Sequence, residues 1–139
     1  MTNILNKIDI EEIEMDLTGV CNLSCPLCTR NYVHAKPMLV KNIRPLPEIT
    51  NQLDTFINLK RFACAGTISE PTLYPDFIEF VKYLNSRSIT YEIFSNGNTH
   101  DEKWWEELGK IINGKSRVIF TVCGSTQELH EKYRVGSNL

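Results

Sequence analysis

Three cysteines that lie close together in the sequence are the residues best suited to chemistry. Cys21, Cys25 and Cys28 lie in one short run, at the end of an alternating apolar segment. Three thiolates on one loop can bind three irons of a [4Fe-4S] cluster, whereas a cluster that only carries electrons is normally closed by four cysteines. The spacing therefore indicates a cluster whose fourth iron is open to another ligand.

Other uses of these cysteines stay open. Structural zinc takes four ligands in a tetrahedron, and the further candidates are His34 and the distant Cys64 and Cys123. A small zinc or electron-transfer module is therefore the alternative metal-binding function. Disulfides are not expected, because five cysteines is an odd count and the chain begins without the regions of a signal peptide. We expect reduced thiols and a cytoplasmic protein.

Size and charge limit the classes of function. The 139 residues are long enough for one domain, which we assign to residues 1–139. Fifteen Lys and Arg against 17 Asp and Glu give a net charge of −2, so no overall positive field suggests nucleic-acid binding. No apolar run approaches the roughly 18 residues that span a bilayer. We therefore expect neither a nucleic acid nor a membrane as a partner.

The apolar pattern predicts strands that alternate with helices. Strands are expected within 8–17 and at 61–65, 91–95 and 118–122, and a short helix at 127–133. Apolar residues at helical spacing fill the intervals between the strands. Strands and helices that alternate at about thirty-residue intervals indicate βαβ units and a parallel sheet.

The helix before the fourth strand has recognisable ends. Asp101 is its expected N-cap, and Asn113-Gly114 is expected to end it in a left-handed conformation. Trp104 and Trp105 share its apolar stripe, so we interpret both tryptophans as packing residues rather than platforms that stack on bases.

Polar loops follow the predicted strands, and ligands bind at this edge of parallel α/β sheets. Gly66, Thr67, Ser69 and Glu70 stand in the loop after the second strand, and Ser95 and Asn96 follow the third. Cys64 and Cys123 stand at the ends of the second and fourth strands. We interpret both as small buried side chains; a pocket thiol or a hydrogen-atom donor is the alternative for Cys123.

In their order along the chain, these loops resemble those of the radical S-adenosylmethionine (SAM) superfamily, from about Ile10 to Gly136. The cysteine run matches its Cys-x-x-x-Cys-x-x-Cys motif. Glu70-Pro71 is similar to the end of its Gly-Gly-Glu-Pro motif, and Ser95-Asn96-Gly97 is similar to its Thr-Asn-Gly. Cys123-Gly124 and Tyr133-Arg134 are similar to its Ile-Asp-Gly and Tyr-Arg, with Cys123 in the place of the aspartate.

The resemblance implies a particular site. Cys21, Cys25 and Cys28 would bind the cluster, and the amino and carboxylate groups of SAM would chelate its open iron. The residues implied around the amino group of SAM are Gly66, Thr67, Ser69 and Glu70, and those implied along the SAM pocket are Ser95 and Asn96.

The resemblance also implies a fold and an activity. The fold would be an incomplete parallel (β/α) barrel, with about four βα units of the radical SAM partial TIM barrel. A reductant such as flavodoxin or ferredoxin would supply an electron, and SAM would be cleaved to methionine and a 5′-deoxyadenosyl radical that takes a hydrogen atom from the substrate. A peptide or protein is one expected substrate class, and a small metabolite is another.

The family usually builds six βα units, whereas about four are predicted in this chain. We therefore expect the N-terminal portion of the core domain, without its last strands. Self-association or a second polypeptide could complete the barrel. The alternative function is a partner-dependent or inactive fragment that binds the cluster without catalysis.

Overall fold

A computed structural model describes residues 9–32 and 43–139, which form a parallel sheet flanked by helices. The strands are β1 (Glu12–Met15), β2 (Arg61–Cys64), β3 (Thr90–Ser95) and β4 (Arg117–Phe120). The helices are α1 (Leu46–Asp54), α2 (Phe77–Ser86), α3 (Glu102–Ile111) and α4 (Gln127–Tyr133), with short 3₁₀ helices at Thr29–Asn31 and Pro71–Leu73. The sheet order is β1-β2-β3-β4, and every neighbouring pair is parallel. The predicted parallel α/β fold is confirmed.

The first and last strands are shorter than the sequence pattern predicts. β1 has four residues, and Ile8, within the predicted range, lies outside the described residues. β4 ends at Phe120 because this residue pairs with Ser95, the last residue of β3. Thr121 N–H still donates to Ser95 O at 3.0 Å. Beyond it the chain leaves the sheet, since β3 offers no further strand residue to pair with.

Apolar side chains on the helix-facing side of the sheet form the core. Side chains alternate along a strand, so Phe62, Tyr91 and Ile93 share this face, and each is at most 1% exposed. The ring of Phe62 meets that of Phe80 edge-on, with the centroids 5.2 Å apart. Burial of each such side chain contributes about 1.5–3 kcal/mol. The face they share therefore holds the sheet against α1, α2 and α3.

The opposite face of the sheet carries charge. Arg61 pairs with Glu12 across β1 and β2, and Arg117 pairs with Glu92 across β3 and β4. Exposed ion pairs of this kind typically contribute less than about 1 kcal/mol each. These pairs fit the register, but the stability of the sheet comes from its apolar face.

Helix α2 shows how the sequence selects a helix and its buried face. Phe77, Phe80, Val81 and Leu84 recur at helical spacing, and all four are buried. The helix has ten residues.

Within residues 9–32 and 43–139, no helix is long and apolar enough to cross a membrane.

Helix α3 begins as predicted but ends differently. Asp101 is its N-cap, and its side chain accepts a hydrogen bond from Trp104 N at 3.0 Å. Both tryptophans pack partly buried against the core, as expected. The predicted left-handed end at Asn113-Gly114 is wrong, because neither residue has a positive φ. Ile112 turns extended instead, and the Asn113 side chain accepts from Ser116 N at 3.1 Å.

The two acidic residues that precede α2 and α3 provide a matched test. Asp101 makes a capping hydrogen bond, whereas Asp76, at the N-cap of α2, makes none. We expect Asp101→Ala to lower the free energy of unfolding by about 1 kcal/mol, and Asp76→Ala to lower it by less. Urea denaturation followed by circular dichroism measures both. Equal losses would contradict the capping role of Asp101.

Candidate functional site

The three clustered cysteines lie on the loop after β1, at the C-terminal edge of the sheet. This loop is held by its own hydrogen bonds: Cys28 N donates to Cys25 O at 3.1 Å, and Asn31 Nδ2 donates to the same oxygen at 2.6 Å. Cys21, Cys25 and Cys28 are each half-buried, and all three line one cavity of about 180 Å³. The three thiols, which are close in the sequence, therefore line the same cavity.

Arg30 joins the cysteine loop to the loop after β2. Its guanidinium donates to Gly19 O at 2.8 Å and also to Ile68 O. Both acceptors are backbone carbonyls on loops that follow parallel strands. Both hydrogen bonds come from Nη1, whose two N–H groups can each donate to one carbonyl. The position of the cysteines is thus coupled to the loop after β2.

The loop after β2 turns sharply beside the cavity. Gly66 has φ +60, and a Cβ at this position would lie 3.0 Å from Ser69 O and 3.2 Å from Phe94 O, so glycine fits best here. Ser69 Oγ donates to Asp16 Oδ1 at 2.6 Å. Gly66, Thr67 and Ser69 all line the same cavity as the three cysteines.

Glu70 is the most deeply buried charged residue of the site, with 2% exposure. Its Oε1 accepts from Thr72 Oγ1 at 2.7 Å and from Ser95 Oγ at 2.8 Å, and it lies 3.4 Å from Thr72 N. Its Oε2 accepts from Asn96 N at 2.8 Å. A buried carboxylate needs such donors, because an unpaired charge in the interior is very costly. Glu70 therefore ties the loop after β2 to the end of β3.

The loop after β3 contacts the loop that carries the cysteines. Asn96 Nδ2 donates to Asn22 Oδ1 at 2.9 Å and lies 4.0 Å from Cys21 Sγ. Ser95 and Asn96 both line the cavity. All nine residues that the sequence analysis proposed as cluster or SAM ligands therefore surround one space.

The structure adds Arg134 to this site. Arg134 follows α4, and its side chain lines the cavity with the three cysteines. The sequence predicts a motif at Tyr133-Arg134 but no role for Arg134. Burial raises the pKa of the Cys25 thiol, the guanidinium of Arg134 partly opposes this rise, and the neighbouring Cys21 and Cys28 add to it. Arg134 thus favours the thiolate, the form that binds metal.

The remaining cysteines behave differently from each other. Cys64 is 1% exposed, as expected for a small core residue, and burial raises its pKa. The interpretation of Cys123 as a buried side chain is wrong, because its side chain is exposed. β4 ends before Cys123, and Cys123 N donates to His130 Nδ1 at 3.1 Å, so the residue does not follow the sheet into the core.

The donors in the cavity fit an iron–sulfur cluster with an amino-acid ligand. In the described part of the chain, no three His, Cys, Asp or Glu side chains are grouped to hold a single metal ion. A [4Fe-4S] cluster does not require such convergence, because each thiolate binds a different iron. Glu70 and Arg134 add an anion and a cation to the same cavity. His34, the nearest further zinc candidate, lies outside the described residues.

Comparison with protein families settles the relationship of the chain. A family model described as the radical SAM superfamily matches residues 15–138. The chain belongs to this superfamily. The predicted resemblance is confirmed, and the cofactors of the superfamily are a [4Fe-4S] cluster and SAM.

Two curated relatives cover most of this radical SAM chain. A cysteine-type anaerobic sulfatase-maturating enzyme of Clostridium novyi is 31% identical, over 85% of this chain and 33% of the relative. A tungsten-containing aldehyde ferredoxin oxidoreductase cofactor-modifying protein of Pyrococcus furiosus is 26% identical, over 78% of this chain and 29% of the relative. The chain therefore spans about a third of the length of these relatives.

Solved structures show the same fold. SuiB of Streptococcus suis bound to S-adenosylmethionine matches with a TM-score of 0.70 and 17% identity, over 88% of this chain and 27% of SuiB. SuiB bound to its precursor peptide SuiA matches with a TM-score of 0.64, also at 17% identity, over 88% of this chain and 26% of SuiB. The predicted incomplete parallel barrel is confirmed by these likenesses and by the four parallel strands.

The hydroxyl of Thr72 tests how strongly the buried carboxylate organises the loops around this cavity. Thr72 is 1% exposed and donates to Glu70. We expect Thr72→Val, which keeps the shape but removes the donor, to lower the free energy of unfolding by about 1.5–3 kcal/mol. Thr72→Ser keeps the donor and loses one buried methyl, so it should cost only about 1 kcal/mol. Urea denaturation compares the two; a greater loss for serine would contradict the importance of this hydrogen bond.

Proposed function

We propose that this chain is the cofactor-binding part of a radical SAM enzyme, in which Cys21, Cys25 and Cys28 bind a [4Fe-4S] cluster beside a SAM site. One observation carries the proposal: three thiols share a single cavity with a buried carboxylate and a guanidinium. The methionine part of SAM has an ammonium and a carboxylate, and the two charged side chains complement them.

Glu70 is the proposed acceptor for the ammonium of SAM. Its Oε1 already accepts from Thr72 and Ser95, whereas its Oε2 accepts from Asn96 N within the described chain. A carboxylate oxygen can accept more than one hydrogen bond, so Oε2 retains capacity for a ligand. Carbonyl oxygens in the loop that contains Gly66, Thr67 and Ser69 would supply further acceptors. Ser95 and Asn96 would line the pocket.

Arg134 is the proposed partner for the carboxylate of SAM. Arg134 lines the cavity, and the terminal nitrogens of its guanidinium donate to no residue of the described chain. Guanidinium and carboxylate groups form strong paired hydrogen bonds because their planar geometries match. Glu70 and Arg134 together would recognise both charged ends of the amino-acid portion.

The residues of this chain bind, orient and shield, and the cofactors carry the difficult chemistry. When bound, the cluster and SAM supply one-electron cleavage of SAM to methionine and a 5′-deoxyadenosyl radical, which takes a hydrogen atom from the substrate. A reductant such as flavodoxin or ferredoxin is the proposed electron source. Three separate loops are held in one arrangement around the cavity by Arg30, Glu70 and Asn96.

A polypeptide is the substrate class that we favour. Support comes from the maturase of Clostridium novyi and, at the level of fold, from SuiB with its precursor peptide. Strand β4 supports a further partner, because Phe120 is 53% exposed and Val122, just beyond the strand, is 63% exposed. Apolar residues at the edge of a sheet favour association or a cover. A longer chain, a second copy or a second polypeptide would provide that cover.

Replacement of each cysteine tests the cluster assignment. We expect alanine at Cys21, Cys25 or Cys28 to abolish normal iron loading after anaerobic reconstitution, because each thiolate binds its own iron. Cys64→Ala and Cys123→Ala are the matched controls and should load iron normally. Iron and sulfide analysis measures the outcome.

Three results would contradict the proposed function. Normal iron loading of the Cys25 variant would show that this thiol is not a ligand. Recovery of zinc instead of about four irons and sulfides per chain would favour the small zinc module. Iron loading without release of 5′-deoxyadenosine from SAM under reducing conditions would favour a chain that binds the cluster without catalysis.

Glu70→Gln tests the proposed ammonium contact. Removing a charged acceptor from an ammonium should weaken SAM binding about ten- to a hundredfold, with a smaller effect on iron content. Glu79→Gln is the control, because Glu79 lies on α2 in an exposed ion pair with Lys82. Equilibrium dialysis of labelled SAM against the reconstituted chain gives both affinities. Unchanged affinity in Glu70→Gln would remove Glu70 from the site.

A further inference from the structure

We propose that Cys123 is a positioning residue for Arg134, and that its sulfur fixes the orientation in which the guanidinium meets the carboxylate of SAM. The inference rests on the proposed function, since it concerns the same site. It assigns a role to the thiol that replaces the aspartate found at this place in the superfamily motif.

The contact between the two side chains is direct. Arg134 Nε donates to Cys123 Sγ at 3.1 Å, a short approach for a sulfur acceptor. Arg134 lines both the cysteine cavity and a neighbouring groove of about 320 Å³, and Cys123 lines the groove only. Cys123 thus contacts the guanidinium from the groove. The terminal nitrogens, which have no partner in the described chain, stay available to an anion in the cavity.

His130 accepts a backbone hydrogen bond from each member of this pair. It is 2% exposed; its Nδ1 accepts from Cys123 N at 3.1 Å, and its carbonyl oxygen accepts from Arg134 N at 2.9 Å. The backbone at Gly124 passes close to the backbone of His130. A Cβ at Gly124 would lie 2.4 Å from His130 N, so glycine is needed there. The backbones of Cys123 and Arg134 are therefore held at a set separation before any ligand arrives.

A thiol in this position has a distinct electrostatic consequence. An aspartate would form an ion pair with the guanidinium and neutralise much of its charge. Sulfur is a weaker acceptor, so it can orient Nε while leaving most of the positive charge to the incoming carboxylate. Pre-organisation of this kind raises affinity, because a long arginine side chain otherwise loses rotamer freedom on binding.

A double-mutant cycle on the reconstituted full chain tests the pair. The variants are Cys123→Ala, Arg134→Ala and both together, with Cys123→Ser as the conservative replacement and Cys64→Ala as the control thiol. We expect Cys123→Ala to weaken SAM binding about three- to tenfold and Arg134→Ala about ten- to a hundredfold. The double variant should be no weaker than Arg134→Ala, because the thiol acts through the guanidinium. Cys123→Ser, which keeps an acceptor, should stay within about twofold of the parent.

Three measurements separate positioning from a structural role. Iron content and the unfolding midpoint should be unchanged in Cys123→Ala, while the SAM-induced change in the electron paramagnetic resonance spectrum of the reduced cluster should require more SAM. Unchanged SAM affinity in Cys123→Ala, additive losses in the cycle, or loss of iron in this variant would each overturn the inference. If the parent chain loads iron but binds no SAM, the proposed function itself fails, and the inference fails with it.

Discussion

The buried carboxylate of Glu70 is the constraint on which the geometry of the site depends. An anion at 2% exposure is stable only if donors surround it. Its donors come from its own turn, through Thr72, and from the end of β3, through Ser95 and Asn96. Burying this charge therefore requires the loops after β2 and β3 to lie together. Asn96 then reaches Asn22 on the cysteine loop, so the same requirement extends to the thiols.

Different parts of the fold stabilise the protein and line the candidate site. Apolar side chains such as Phe62 and Ile93 hold the sheet against the helices on one face. The polar loops all follow the C-terminal ends of parallel strands. Loops at that edge can vary while the core persists, and this accounts for a likeness to SuiB that extends over 88% of the chain at 17% identity.

The sequence predicts those parts of the molecule that depend on local pattern. Strand and helix order follows from apolar periodicity, and the N-cap Asp101 follows from residue type. Burial of Glu70 cannot be predicted locally, because two of its donors, Ser95 and Asn96, stand 25 and 26 residues further along the chain. The exposure of Cys123 depends in turn on where β3 stops pairing with β4. Residue pairs distant in sequence decide both features, so only the folded chain reveals them.

In the proposed SAM site, the carboxylate of Glu70 serves both the folding of the loops and the binding of the ligand. Oε1 accepts the hydroxyl hydrogens of Thr72 and Ser95, which fold the loop, whereas Oε2 accepts from the backbone of Asn96 at the cavity wall. A ligand ammonium that meets Oε2 would find an acceptor already oriented by the other three contacts. Because those contacts form on folding, the chain meets the cost of ordering this carboxylate before SAM arrives. In the proposed site, the arrangement of the loops and the affinity for SAM therefore depend on the same residue.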